Sequence, residues 1–100
     1  MNQSTKACAI SKQVRLEVID RDNGLCIFCQ REAVDIMHFR SRGNLGLGIV
    51  ENLACGCRSC HTMLDHSEHR KTMLMIFKMK LNRMYPTFTD EMRTYRKGKL

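Results

Sequence analysis

Two Cys-x-x-Cys steps, Cys26 with Cys29 and Cys57 with Cys60, constrain this chain more than any other feature. At 100 residues it forms one domain near the size at which an apolar core alone suffices. It has no Trp and only 6% aromatic residues, so a covalent or metal staple would help to hold it together. Residues 1–20 contain no apolar h-region of a secretory leader: the first twelve are polar, and Lys12, Arg15 and Glu17 interrupt the apolar positions after them. No stretch approaches the roughly 20 apolar residues of a membrane span. The chain therefore reads as cytoplasmic, and there the paired steps favour a tetrahedral four-cysteine zinc site over disulfides. A redox dithiol would open a helix in a βαβ unit, a context this sequence lacks. Cys55 lies close to Cys57 but outside the two-residue spacing, so Cys55 and Cys8 are expected as free thiols. A closed four-sulfur site leaves no open coordination position, so its metal holds the fold and does no chemistry.

Hydrophobic periodicity places the other elements. Residues 1–10 read as a flexible arm, and residues 11–97 as a single domain. Ile10, Val14 and Val18 recur at helical spacing, with Ile19 widening the stripe, Ser11 as N-cap and Asn23-Gly24 as the stop. Residues 33–39 have the length and apolar bias of a strand, and residues 49–54 read as a second short strand or a turn. A helix is expected over residues 58–66, and another from the Ser67 cap to about Met84. In the second, Leu74, Phe77, Lys78 and Leu81 follow helical spacing. The surrounding Met73, Met75, Met79 and Met84 read as adaptable core. Pro86 ends that helix, and Thr87 or Thr89 can cap a short final one carrying Met92 and Tyr95.

The charge balance is 17 Lys and Arg against 10 Asp and Glu, a net +7 that favours a polyanionic partner such as nucleic acid. Basic residues gather at Arg40 and Arg42, and again at Arg93, Arg96, Lys97 and Lys99. Three further residues sit in a fixed order among the cysteines: His38 at the end of the expected first strand, Asn52 in the following loop, and His61 directly after Cys60. His61 and Asp65 are spaced i, i+4 and share one helix face, where an imidazole and a carboxylate can grip one divalent cation. Phosphodiester hydrolysis needs a base to activate water and a cation on the phosphate oxygens. His38 can supply the first, and His61 with Asp65 the second. Asn52 is suited to hold loop backbone through its amide.

Four segments together resemble a known family: Arg21-Asp-Asn-Gly-Leu-Cys-Ile-Phe-Cys, His38-Phe-Arg-Ser-Arg-Gly, Gly46-Leu-Gly-Ile-Val-Glu-Asn52-Leu and Cys57-Arg-Ser-Cys-His61. This composite is similar to the zinc-stapled HNH endonucleases, in particular the small bacteriophage type, over about residues 11–97. The resemblance implies an α+β fold: a small ββα-metal (His-Me finger) core stapled by the four-cysteine zinc site, with flanking N-terminal and C-terminal helices. It also implies a divalent-metal-dependent DNA endonuclease. His38 would be the general base, and Asn52 would orient the loop and hold that base. His61 and Asp65 would bind catalytic Mg²⁺ or Mn²⁺, Cys26, Cys29, Cys57 and Cys60 structural Zn²⁺, and Arg40 and Arg42 phosphate. DNA is the implied partner, with a phage terminase or other DNA-processing protein beside it in the host cytoplasm. One active site per domain implies nicking by a monomer and double-strand cutting by a dimer or by successive nicks.

One position departs from the family pattern. Many members carry a metal-binding Asp or His directly before the base, where this chain has Met37, and a thioether is a poor ligand for a hard cation. Asp35 shares the strand face of Met37 and would reach the site only through a bend in the strand. His66 or His69 could add a ligand from the helix, or the cation could keep more water. Met37 is also the best argument for a rival reading, a catalytically inactive zinc-stapled module that binds nucleic acid. A protein-interaction adaptor built on the Met-rich helix is a third reading.

Overall fold

The computed structural model describes residues 2–96, so Lys97 and Lys99 of the basic tail, and the last residue of the expected 11–97 domain, lie outside the described residues. Helices α1 (Gln3–Cys8) and α2 (Lys12–Asp22) precede strands β1 (Asp35–His38) and β2 (Leu53–Gly56). Helices α3 (Arg58–His66) and α4 (Arg70–Met84) follow. The result is a small α+β fold around one two-stranded antiparallel sheet.

Local chemistry sets most of these boundaries. The Ser11 hydroxyl accepts the Val14 N–H at 3.1 Å and starts α2, while Asn23 ends it in the left-handed region at φ 57°. Residues 25–32 turn back on themselves: the Cys26 N–H donates to the Arg31 carbonyl at 2.8 Å, and Leu25 bridges Glu32. The Ile27 N–H then reaches the Cys55 carbonyl at 3.1 Å and hooks this knuckle onto β2. Cys57 caps α3, its sulfur accepting the Cys60 N–H at 3.3 Å.

The sheet register pairs Asp35 with Gly56, Ile36 with Cys55, Met37 with Ala54 and His38 with Leu53. Alternation along each strand divides the core in two. On one face Ile36, Leu53 and Cys55 pack against Val18 of α2. On the other, Met37 and Ala54 join Cys60, Leu64, Met73, Phe77 and Leu81 from α3 and α4. Gly56 is required here, because a Cβ on it would stand 2.3 Å from the Met37 sulfur. Met37 is fully buried as a core residue.

Two arginines tie this frame together. Arg21 donates to the Val50 carbonyl at 2.8 Å, the Leu53 carbonyl at 2.7 Å and the Tyr85 hydroxyl at 3.3 Å, and grips Asp22 through two further donors. Arg93 is wholly buried, with its guanidinium about equally far from the Phe39 and Phe88 rings. It donates to the Glu51 carbonyl at 2.7 Å and to Asp90 at 2.9 Å.

Several expectations are corrected. Within the expected arm, residues 3–8 form a helix, and the Cys8 at its end is buried. The second strand begins at Leu53, after a 3-10 turn over Val50–Asn52, because the Asn52 side chain is drawn into the preceding loop. Ser67 lies in the break between α3 and α4 and does not cap the second: its hydroxyl donates back to the Met63 carbonyl. Residues 87–95 make a hydrogen-bonded turn held by Thr89 and Asp90 instead of a final helix. Ile19 is 37% exposed, and Met75, Met79 and Met84 face solvent, so only Met73 of the four methionines belongs to the core. The α4 face that packs is the line Met73, Phe77, Leu81 at four-residue intervals, with Leu74 partly buried beside it. Among the described residues no helix is long and apolar enough to cross a membrane.

Candidate functional site

The four cysteines of the two steps converge. Their sulfurs all lie within 4.8 Å of one another, with Cys29 and Cys57 3.6 Å apart. A tetrahedral site with Zn–S bonds of about 2.3 Å requires sulfur separations of about 3.8 Å, so the cluster fits a structural Zn²⁺. Burial opposes ionisation of the Cys26 thiol, but hydrogen bonds from the surrounding backbone outweigh it and bring its pKa down to about 7. Burial and the neighbouring sulfurs push Cys60 the other way. Cys8 and Cys55 stand apart from the cluster as buried free thiols, both with raised pKa values caused first by burial. Among the described residues these four cysteines are the one group of three or more potential ligands so closely gathered.

A second constellation lies where β1 meets the first turns of α3. The Asp35 carboxylate accepts from His61 Nδ1 at 2.9 Å and from Arg58 at 2.9 and 3.0 Å. Asp35 opens β1 and reaches His61 there at Nδ1, on the nitrogen away from the one that faces Asp65. The His61 hydrogen bond, opposed by burial and helped by Arg58, holds the Asp35 carboxyl below its ordinary value of 3.8. An ionised carboxylate only accepts, so His61 donates to Asp35 from a protonated Nδ1. Its Nε2 faces Asp65 Oδ2 at 3.4 Å. A proton shared between the two atoms or a cation held by both would suit this separation, since metal–ligand bonds of about 2.1 Å fit the gap. A carboxylate on the far nitrogen of a ligating imidazole is the usual way such a ring is oriented.

These residues line a cleft of about 400 Å³ together with Arg15, Thr62 and His66. His66 is thus close to the pair, whereas His69 lies beyond, 4.0 Å from Glu68 at the start of α4. Arg15 and Arg58 line the cleft beside Asp35 and Asp65, and neither arginine stands out in the sequence as a site residue. Arg15 is legible there only as a break in an apolar stripe, and Arg58 only as the residue after a cysteine. A larger hollow of about 610 Å³ lies against the C-terminal turn, lined by Leu47, Met92 and Tyr95 among others, and contains none of the candidate residues.

His38 and Asn52 meet at the other end of the sheet. Asn52 is fully buried: its Oδ1 accepts the Arg40 N–H at 2.8 Å, and its Nδ2 donates to the carbonyls of Arg40 at 3.1 Å and Leu47 at 2.8 Å. The Asn52 carbonyl in turn accepts the Phe39 N–H at 2.8 Å. One side chain therefore shapes residues 40–47, and its backbone anchors the strand end that carries His38. His38 Nε2 lies 3.0 Å from the Cys8 carbonyl. Burial lowers its pKa from 6.5, the Cys8 carbonyl raises it, and the charges of Arg42 and His61 lower it again, for a net fall. His38 and His61 are therefore in electrostatic reach of each other, although His38 is not among the residues lining the cleft. Arg40 and Arg42 lie on the loop after β1, and Arg42 borders a small hollow with Ser4, Thr5 and Cys8.

No protein-family model matches this chain, and no curated protein matches it.

Proposed function

We propose that this protein is a divalent-metal-dependent endonuclease that hydrolyses DNA phosphodiester bonds on an HNH-type ββα-metal core. The observation that carries the reading is His61, held by Asp35 at Nδ1 and opposed by Asp65 at Nε2 in a cleft that Arg15 and Arg58 also line. His61 and Asp65 would hold the divalent cation, Mg²⁺ or Mn²⁺, which would supply positive charge against the phosphate oxygens and the leaving 3′ oxygen. Arg58 and Arg15 draw the DNA backbone to the cleft, while Arg40 and Arg42 extend the contact along the loop. His38, whose burial favours the neutral ring, takes a proton from water. The oxygen so freed bonds to phosphorus as the bond from phosphorus to the 3′ oxygen breaks. Asn52 positions the loop and the strand end behind the base.

One observation favours a second reading, a zinc-stapled nucleic-acid-binding module without activity: His38 lies outside the lining of the cleft. Supercoiled plasmid separates the two. The nuclease nicks it in Mg²⁺ or Mn²⁺, fails in EDTA, and loses at least about a hundredfold in rate on His38→Ala or His61→Ala with DNA affinity retained. Intact plasmid in every metal, with zinc-loaded folded protein that still binds DNA, would leave the module.

A further inference from the structure

A carbonyl oxygen can only accept a hydrogen bond, so the contact between His38 Nε2 and the Cys8 carbonyl assigns a proton to Nε2 and the lone pair to Nδ1. The contact depends on where α1 sits. The last carbonyls of a helix have no partner within it, and in α1 each finds one. Those of Thr5 and Lys6 accept the Ala9 N–H, that of Ala7 accepts the Gly48 N–H at 2.9 Å, and that of Cys8 receives His38. The last two join α1 to the loop and strand end shaped by Asn52. The fit at Gly48 is close: a Cβ there would stand 2.1 Å from the Ala9 oxygen and 3.1 Å from the Cys8 oxygen. At the other end of α1, the Tyr95 hydroxyl donates to Gln3 at 3.2 Å.

We propose that α1 is a working part of the active site, its Cys8 carbonyl positioning His38 as the Nε2–H tautomer so that Nδ1 receives the proton from water. This rests on the nuclease reading and extends it to residues outside the segments that resemble the HNH family. The carbonyl does two things for a base. It fixes the ring against rotation, and it stabilises the imidazolium that forms once the proton is taken, without itself reacting. Cys8 is a positioning residue through its backbone, so its side chain is irrelevant to the effect.

The test displaces α1 in the full chain from two directions. Gly48→Ala fills the seat of Ala9, and Lys6→Pro breaks α1 at an exposed position whose N–H bonds the Asn2 carbonyl. Lys6→Ala is the control, and zinc content and a melting curve report that each variant is folded. Imidazole ¹⁵N spectra of the zinc-loaded protein read the tautomer and the exchange of the Nε2 proton, and plasmid nicking in Mn²⁺ reads kcat and KM. The wild type and the control should show a slowly exchanging Nε2 proton. Both displaced variants should lose that protection and fall at least about tenfold in kcat with KM unchanged. Displaced variants that cut as fast as the wild type, or faster, would overturn the proposal and make α1 a removable cover. An Nδ1–H tautomer or an unprotected proton in the wild type would overturn it directly. A protected proton in a protein that cuts nothing would remove the nuclease reading and the base with it, leaving α1 as a purely structural clamp.

Discussion

Asn52 commits both ends of its amide to loop backbone, holding Arg40 at two atoms and Leu47 at one. Truncation orphans an N–H and two carbonyls, so Asn52→Ala should cost about 3 kcal/mol in urea denaturation of the zinc-loaded protein. Asn52→Asp should cost a similar amount, since it keeps the acceptor but turns an oxygen onto two carbonyls. His38 behaves differently, because its environment acts on its charge. Its folded pKa lies below the unfolded 6.5, so the fold favours the neutral ring. The stability this adds is complete above 6.5 and is lost as the pH falls towards the folded value. In the proposed nuclease the same depression would keep His38 competent as a base in mild acid. The acid limb of the nicking rate in Mn²⁺ should therefore have its midpoint below 6.5, and one at or above 6.5 would mean the ring is solvated in the active protein. His38, Asn52, His61 and Asp65 could be picked out of the sequence because their order relative to the cysteines singles them out. Asp35 could be noticed only as a candidate ligand on the strand face of Met37, and Arg58 and Arg15 not at all, because each becomes informative only through what it faces.

Among the elements, α4 is the one whose pattern misleads most. A run carrying Met73, Leu74, Met75, Phe77, Met79, Leu81 and Met84 reads as apolar nearly all round, so periodicity alone cannot say which stripe is covered. The fold covers Met73, Phe77 and Leu81 and leaves Met75 and Met79 more than half exposed. Phe77 meets Phe28 and Phe39 edge-on at 6.1 and 5.4 Å, linking α4 to the cysteine knuckle and to the end of β1. Phe77→Ala should accordingly cost about 4 kcal/mol, whereas Met79→Lys should stay within about 0.5 kcal/mol by the same thermal or urea measurement. Equal effects at the two positions would mean that the exposed methionines are covered in solution. Capping has mixed legibility. Ser11, Asn23 and the Cys57 turn could be read because their chemistry is local, whereas Ser67 and Thr89 are equally good caps that the chain uses for turns.

For the molecule as a whole, the cysteine cluster joins the knuckle after α2 to the start of α3 and so closes the frame on which both candidate residue groups stand. Thiols must lose protons to bind zinc, and burial makes Cys60 resist ionisation. Chelation, or any one Cys→Ser change at these four positions, should abolish zinc content and the cooperative melt together, and acid should do the same. Asp35 and Asp90 add a smaller effect of the same sign. Their folded pKa values are depressed, so the stability they contribute is present above 3.8 and lost as the pH falls through the folded values. Asp35→Asn should flatten that part of the acid titration. The sequence by itself determined the four-cysteine cluster, the helix over residues 58–66 and the first strand, and it singled out the His, Asn and His positions. Fixed spacings and local hydrogen bonds carry that information. Only the tertiary structure decided that Met37 belongs to the core, that Asp35 turns to His61, and that α1 folds back onto His38. Each of these depends on which face of a two-stranded sheet ends beside which helix, and no local pattern in the chain encodes that.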